Sequence, residues 1–222
     1  ISTFHNVYGD KNILKKIYNK QLSKVSKIIA ISEYVKKEII KKYQINEDMI
    51  TVINRGIDIN FFNKENINEY KFVKFLNKNN IILNKKIILF PGRITNWKGQ
   101  IEFLNIVEQF IDKPVVFYFV GDIKNKSFYQ KFVNLITKKK LNKKCRILDH
   151  LNNEDLKMMY HCSNLIISAP LKPEGFGRTI SESLSMEKIL LAYNFGGAQD
   201  QLRDLDNIYK VIPKDHNQMI FK

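Results

Sequence analysis

Short apolar runs alternate with longer amphipathic stretches along most of the sequence, and this alternation constrains the fold more than any other feature. The predicted strands are Lys27–Ile31, Ile50–Ile53, Lys86–Phe90, Val115–Val120, Arg146–Leu148, Leu165–Ser168, Ile189–Ala192 and Tyr209–Ile212. The predicted helices are Ser32–Tyr43, Gln100–Ile111, Ser127–Leu141, Asn153–Met159 and a segment from about Gly177 to Met186. Because the strands are apolar without alternating, both faces of their sheet are expected to be buried. The sequence therefore predicts an α/β fold with a doubly wound, Rossmann-like parallel sheet.

The composition excludes several other classes of protein. Of the 222 residues, 44% are hydrophobic and 12% are aromatic, which excludes a disordered tail, a collagen-like chain and a coiled coil. No apolar run approaches the roughly 20 residues that a membrane-spanning helix needs. The two cysteines, Cys145 and Cys162, give neither a disulfide framework nor a metal-ligand spacing. A reducing compartment, and hence a cytoplasmic location, is predicted.

The net charge of +15 suggests nucleic acid or an anionic membrane surface as a partner. Only five of the 37 basic residues are arginines, and the lysines are dispersed along the whole chain. Dispersed lysines favour solvated surface charge over a clustered interface, so no nucleic-acid partner is expected. A basic nucleic-acid-binding module stays open as an alternative function, as does peripheral contact of the basic surface with a membrane.

Three of the five arginines stand next to a glycine, in the dipeptides Arg55-Gly56, Gly92-Arg93 and Gly177-Arg178. In parallel α/β sheets, ligands bind beyond the carboxyl ends of the strands, where such loops lie. Gly92 follows a predicted strand, and a glycine there lets a phosphate approach the backbone. Arg93 and Lys98 in the same loop offer two cations to a diphosphate. The alternative is a loop with a purely structural role.

A second loop, Pro173–Arg178, leads into the predicted helix that carries Glu182. A diphosphate could bind the N–H groups at this helix N-terminus. Glu174 and Glu182 would repel a phosphate, but a carboxylate accepts hydrogen bonds and could bind the hydroxyls of a sugar. The alternatives are that Glu174 is a surface charge in a loop and that Glu182 is an exposed helix residue.

These motifs together resemble a known family. Glu174 and Glu182 are separated by seven residues, in the sequence Glu-Gly-Phe-Gly-Arg-Thr-Ile-Ser-Glu. With Gly92-Arg93, Lys98-Gly99 and Gly196-Gly197-Ala198-Gln199-Asp200, the motif is similar to that of the retaining GT-B glycosyltransferases of the glycogen-synthase-like and mannosyltransferase-like family, glycosyl transferases group 1. The resemblance covers nearly the whole chain.

The resemblance implies catalytic roles for four residues. Arg93 and Lys98 would bind the diphosphate of a nucleotide-sugar donor and stabilise the charge left on it when the glycosidic bond breaks. Glu174 would contact the donor sugar near the reacting carbon. His5 would face the reaction centre from the N-terminal domain, although a histidine so close to Ile1 can also be incidental.

The resemblance also implies a set of donor-binding residues: Gly56, Gly92, Gly175, Phe176, Gly177, Arg178 and Glu182. Glu182 would accept hydrogen bonds from the ribose hydroxyls, and the 175–177 backbone would present N–H groups to the sugar or phosphate. Gly56 would lie in the loop at the cleft between two domains. The sequence departs from the family at Asp200, where glutamate is common, and at Arg178, where an apolar residue is more common.

The expected domain organisation follows from the same resemblance. Residues 1–58 are predicted to be the last part of an acceptor-side Rossmann-like domain with its linker, and residues 59–222 a donor-binding domain that is incomplete at its C-terminus. A chain of this kind would bind donor but catalyse little by itself. We therefore expect it to be part of a longer enzyme.

The implied reaction is retaining, metal-independent transfer of a hexose from a nucleotide-diphosphate sugar to a saccharide or lipid-linked hydroxyl acceptor, in cell-envelope polysaccharide or lipopolysaccharide synthesis at the inner face of the membrane. No cofactor is expected. Asp204-Leu205-Asp206 has the letters of a metal-binding Asp-x-Asp motif, but it follows a predicted helix and is interpreted as a solvated turn. Alternatives are another reaction on the same fold, such as that of an epimerase or a phosphorylase, and a catalytically inactive nucleotide-sugar-binding scaffold.

Overall fold

The computed structural model describes residues 1–7, 17, 18, 20, 21, 23–206 and 209–222. The strands are β1 (Ser2–Phe4), β2 (Ile28–Ala30), β3 (Ile50–Val52), β4 (Lys86–Pro91), β5 (Val115–Val120), β6 (Cys145–Leu148), β7 (Leu165–Ser168), β8 (Ile189–Tyr193) and β9 (Lys210–Val211). The helices are α1 (Glu33–Tyr43), α2 (Glu69–Lys78), α3 (Gln100–Glu108), α4 (Lys126–Lys138), α5 (Asn153–Cys162), α6 (Arg178–Ser185), α7 (Gly197–Leu202) and α8 (His216–Phe221).

The chain divides into two compact units. The first consists of Ile1–Gly56, Pro173–Gly177 and Asn194–Asp204, and the second of Ile57–Lys172, Arg178–Tyr193 and Leu205–Lys222. Two loops that the sequence assigns to the donor-binding domain are thus grouped with the first 56 residues. The predicted division at residues 58 and 59 stays a prediction.

The first unit contains a parallel sheet in the order β1-β2-β3. Helix α1 begins after Ser32, whose side chain accepts a hydrogen bond from Val35 N, and ends at Gln44 in the left-handed conformation. Val35 and Ile39 lie one turn apart on α1 and are buried against the sheet residues Ile28 and Ile50. Helix α7 packs against α1.

The second unit contains a six-stranded parallel sheet in the order β6-β5-β4-β7-β8-β9. The chain moves outward from β4 to β6 and then returns to the other side of β4 with β7, so the strand order reverses between β4 and β7. Five phenylalanines pack edge-to-face or tilted on one side of β4 and β5: Phe90, Phe103, Phe117, Phe119 and Phe132. Ligands of such sheets bind where the strand order reverses, beyond the carboxyl ends of the strands.

The predicted α/β fold with parallel Rossmann-like sheets is confirmed. The predicted bounds of β5 and β7 are those of the structure, and those of the other predicted strands differ by one residue at one or both ends. Strand β1 was not among the predicted apolar runs, because two of its three residues, Ser2 and Thr3, are polar; the family resemblance implied only that His5 lies at the end of a strand. Helix α2 was not predicted either, because its stripe of Phe72, Phe75 and Leu76 is interrupted by lysines and asparagines.

Candidate active site

The loops after β4 and β5 lie against each other at the carboxyl edge of the second unit's sheet. Gly92 N donates a hydrogen bond to Val120 O at 2.8 Å, and Ile94 N donates to Asp122 O at 3.0 Å. A Cβ atom on Gly121 would lie 2.4 Å from Gly92 O, so this close approach requires a glycine. The loop that carries Arg93 is therefore held in a defined position.

Arg93 and Lys98 share one aromatic neighbour. The guanidinium carbon of Arg93 lies 5.6 Å from the centroid of the Trp97 ring, and Lys98 Nζ lies 4.9 Å from the same centroid. An aromatic face attracts cations, so the ring counteracts the mutual repulsion of the two charges. Arg93 is exposed and Lys98 is half-buried. The structure thus brings together the two cations that the sequence assigned to a diphosphate.

Lys98 also lies beside Gly92. An ideal Cβ atom on Gly92 would be 3.4 Å from Lys98 Cε and 3.5 Å from Lys98 Nζ. Gly99 follows with a φ of +87°, and its own Cβ atom would be 2.3 Å from Ala169 O. Leu171 N donates to Trp97 O at 2.7 Å, which ties the Arg93–Gly99 loop to the segment after β7. The lysine is therefore positioned by both strands that flank the strand-order reversal.

Glu182 is buried on α6, with 4% of its surface exposed. Its Oε2 accepts a hydrogen bond from the Tyr160 hydroxyl at 2.9 Å, and its Oε1 lies 2.8 Å from Arg178 Nη2, one turn earlier on the helix. The alternative that Glu182 is an exposed helix residue is wrong. Its neighbours Ile180 and Ser183 are also buried, so α6 turns this face into the unit.

Burial raises the pKa of the Glu182 carboxyl above its usual range, and this shift is opposed by the Arg178 charge, by the hydrogen bonds from Tyr160 and Arg178, and by the Lys98 charge. Burial and the charge of Glu182 raise the pKa of Tyr160 well above its usual value, so its phenol stays protonated as a donor. Lys98 is thus close enough to Glu182 for its charge to act on the carboxyl group. Glu182 uses two of its roughly four acceptor positions, and the others can accept from a ligand hydroxyl.

In the first unit, hydrogen bonds hold the carbonyl groups of the Glu174–Gly177 loop. Ser32 Oγ donates to Gly175 O at 2.6 Å, and Gly197 N donates to Glu174 O at 2.8 Å. The Gln201 amide donates to Phe176 O and to Gly177 O. The N–H groups of Gly175, Phe176 and Gly177 make no hydrogen bond to any residue that the structure describes. Phe176 and Gly177 are half-buried, so their N–H groups can donate to an anion or a sugar hydroxyl, whereas Gly175 is buried.

His5 lies at the end of β1 and is exposed. Its carbonyl oxygen lies against Gly175, where a Cβ atom would approach it to 2.2 Å. The first unit therefore brings His5 and the Glu174–Gly177 loop together. Gly56 is exposed, with nothing within 4 Å of an added Cβ atom. The roles assigned to these residues, and to Glu174, stay predictions.

Three residues near these groups were not assigned a role from the sequence. Tyr160 binds Glu182, Trp97 contacts both cations, and Ser32 combines an N-cap with a hydrogen bond to the Gly175 carbonyl. Trp97 could have been identified from the sequence, since it is the only tryptophan of the chain and directly precedes Lys98. The partners of Tyr160 and Ser32 are 22 and 143 residues away in the sequence, and no local pattern identifies them.

Two further properties concern metals and membranes. Within the described residues, no group of three or more His, Cys, Asp or Glu side chains is placed to hold a metal ion. Among the same residues, no helix has both the length and the apolar character needed to cross a bilayer.

Comparison with known proteins assigns the family. Residues 72–220, about two thirds of the chain, match the family described as Glycosyl transferases group 1. The chain belongs to this family. Residues 1–61 match a second description, Glycosyltransferase Family 4. The predicted family resemblance is therefore confirmed.

Similar proteins include other members and structures of the same fold. An uncharacterized glycosyltransferase of Methanocaldococcus jannaschii is 27% identical over 198 residues, which are 85% of this chain and 47% of that protein. A glycosyltransferase from Rickettsia africae has a crystal structure with a TM-score of 0.85 and 34% identity, covering 99% of this chain and 57% of that one. The Anabaena protein HepE, crystallised with UDP and glucose, has a TM-score of 0.85 and 20% identity, and the match covers 99% of this chain and 59% of that one. The chain thus spans about half the length of these relatives.

Proposed function

We propose that this chain binds a nucleotide-diphosphate sugar for a glycosyltransferase that moves the sugar to a hydroxyl acceptor with retention of anomeric configuration. The observation that carries the proposal is the position of Arg93 and Lys98 beside the Trp97 ring, in the same unit as the buried carboxylate Glu182. Two cations suit a diphosphate, and a carboxylate suits the hydroxyls of a ribose. Family membership supports the same function.

Arg93 and Lys98 would stabilise the charge that develops on the diphosphate as the bond to the sugar breaks. The sugar would pass through an oxocarbenium-like state, and the leaving phosphate oxygen would take the proton of the incoming hydroxyl on the same face. Glu174 would contact the sugar, and Gly175, Phe176 and Gly177 would donate N–H groups to the sugar or phosphate. His5 would face the reaction centre in this proposal. These interactions act by positioning and by electrostatic stabilisation.

The proposed donor is a nucleoside-diphosphate hexose. UDP-glucose is the first candidate, because the Anabaena protein of the same fold was crystallised with it. The two cations would supply the positive charge for which other transferases use a divalent ion, so we propose a metal-independent reaction without a cofactor. Retained activity in excess EDTA would support this part, whereas activity restored only by Mg²⁺ or Mn²⁺ would contradict it.

The proposed setting is the synthesis of cell-envelope polysaccharide or lipopolysaccharide, in the cytoplasm and at the inner face of the membrane, with a saccharide or lipid-linked acceptor. The net charge of +15 supports contact with an anionic surface. Vesicle binding that weakens with ionic strength is expected.

The deciding experiment is transfer by the full-length protein from an α-linked nucleotide sugar, with the product followed by NMR. We expect an α-linked product from the wild-type protein, and a loss of transfer in Lys98→Ala. A β-linked product would refute retention. Epimerised donor without any transfer would refute the proposed reaction.

A further inference from the structure

A small cavity opens at the amino ends of β4, β5 and β6, at the opposite edge of the sheet from Arg93 and Lys98. Its volume is about 140 Å³, several times the roughly 30 Å³ that one water molecule occupies in the liquid. Strand β4 has six residues, which separates the two edges by on the order of 20 Å. A ligand in this cavity would therefore not share atoms with the donor site.

The charged residues of the cavity wall all carry the same sign. They are Lys85 in the loop before β4, Lys143 before β6, and Arg146 on β6. Arg146 Nη1 donates to the backbone oxygen atoms of Asn142 and Cys145, at 2.7 and 3.1 Å, which fixes the guanidinium in place. All three side chains are exposed, so water screens their mutual repulsion, and an anion bound between them would lower it further.

The wall also contains the hydroxyl group of Tyr118. Tyr118 is 3% exposed, and its hydroxyl makes no hydrogen bond to any residue within the described part of the chain. Tyr118 and Arg146 are paired across β5 and β6, so their side chains leave the sheet on the same face. Its oxygen is not one of the enclosed polar atoms that lack a partner in the described part of the chain, so the hydroxyl is open to the cavity and can donate to a ligand there. The side-chain amides of Asn80 and Asn84 add further donors to the same wall.

We propose that this cavity is a binding site for a phosphate monoester or diester. The guanidinium and the two ammonium groups would neutralise the phosphate charge, and the Tyr118 hydroxyl and asparagine amides would donate hydrogen bonds to its oxygen atoms. The phosphate could belong to a free metabolite or to a lipid headgroup. Ile82 on the wall and Leu83 beside it are 66% and 53% exposed, and these aliphatic side chains suit a headgroup at a membrane surface.

The first test uses glycerol 3-phosphate as the probe, with the donor site removed by Arg93→Ala and Lys98→Ala. We expect isothermal titration to show binding in this background, and a 3-fold to 10-fold loss of affinity in Tyr118→Phe, which removes one hydroxyl and no charge (about 0.5–1.5 kcal/mol). Lys143→Gln with Arg146→Gln should abolish binding. Lys131→Gln with Lys138→Gln, two exposed lysines of α4, is the matched control and should retain it.

If the variant without the donor site does not bind glycerol 3-phosphate, the proposal is overturned. It is also overturned if the cavity variant (Lys143→Gln with Arg146→Gln) and the control variant (Lys131→Gln with Lys138→Gln) lose the same affinity. An unchanged affinity in Tyr118→Phe would also overturn it, because binding to diffuse surface charge does not depend on one hydroxyl of the cavity wall. Co-sedimentation with phosphatidylglycerol or phosphatidylcholine vesicles then separates the two sources. Vesicle binding that Tyr118→Phe weakens supports a lipid headgroup, whereas glycerol 3-phosphate binding with vesicle binding insensitive to Tyr118→Phe supports a free phosphate ester.

Discussion

The contact between Tyr160 and Glu182 makes a pH-dependent prediction about stability. Tyr160→Phe removes the hydroxyl that donates to Glu182 Oε2 at 2.9 Å and leaves the ring in place. A hydrogen bond to an ionised group contributes about 1.5–3 kcal/mol, and one between neutral groups about 0.5–1.5 kcal/mol. We therefore expect the substitution to lower the free energy of unfolding by about 1.5–3 kcal/mol near pH 8, where Glu182 is ionised.

The direction of the pH dependence follows from the pKa of Glu182. Burial raises this pKa in the folded protein above the ordinary value of 4.5, so the folded state binds more protons than the unfolded state between the two values. The contribution of Glu182 to stability therefore falls as the pH rises through this window. Tyr160→Phe removes a hydrogen bond that favours the ionised form, which raises the pKa further. The loss of stability should thus shrink to about 0.5–1.5 kcal/mol near pH 4, where the carboxyl group is protonated.

Urea unfolding followed by the fluorescence of Trp97 measures this effect, because Trp97 is the only tryptophan and lies in the same unit as Tyr160. Tyr118→Phe is the matched control. Tyr118 is also buried, but its hydroxyl has no partner among the described residues, so this variant should lose less than about 0.5 kcal/mol at either pH. An equal loss in both variants, or a loss in Tyr160→Phe that does not change with pH, would refute the reasoning.

Two further substitutions test the loops. Ser32→Ala removes a helix cap and the hydrogen bond to Gly175 O, so we expect urea unfolding to show a free energy of unfolding lower by about 2 kcal/mol. Asn125→Ala removes a helix cap alone and should lower it by about 1 kcal/mol. Equal losses in the two variants would contradict a stabilising role for the Ser32–Gly175 hydrogen bond. Gly99→Ala places a Cβ atom 2.3 Å from a carbonyl oxygen at a φ of +87°, and we expect at least about 2 kcal/mol of destabilisation. Gly56→Ala, which meets nothing within 4 Å, is its control, and a tolerated Gly99→Ala would show that the loop relaxes.

The strands of the parallel sheets could be predicted because a strand that is buried on both faces is a short run of apolar residues. Val115–Val120 is a continuous apolar run, Leu165–Ser168 begins with three apolar residues, and both have the predicted bounds. Helix α2 was missed although Phe72, Phe75 and Leu76 lie at helical spacing, because the lysines and asparagines around them make this segment polar on average.

Only those parts of the candidate site that lie within one short segment of the sequence could be predicted. Arg93 and Lys98 could be assigned to one loop because they follow the same strand. The burial of Glu182 could not be predicted, because its polar neighbours Ser181 and Ser183 suggest exposure and Tyr160, its hydrogen-bond donor, comes from another helix. The grouping of the Glu174–Gly177 loop with the first 56 residues depends on long-range contacts, such as that between Ser32 and Gly175, which no sequence period encodes.

Recognition of a nucleoside diphosphate by Arg93 and Lys98 is the central claim, and isothermal titration of UDP, GDP and ADP with the matching monophosphates tests it most directly. We expect one diphosphate to bind at least about 10-fold more tightly than its monophosphate. Arg93→Ala and Lys98→Ala should each weaken it roughly 10-fold to 100-fold, and Lys131→Ala, an exposed lysine of α4, should not. Equal affinity for diphosphate and monophosphate, or diphosphate binding that survives both substitutions, would contradict the account.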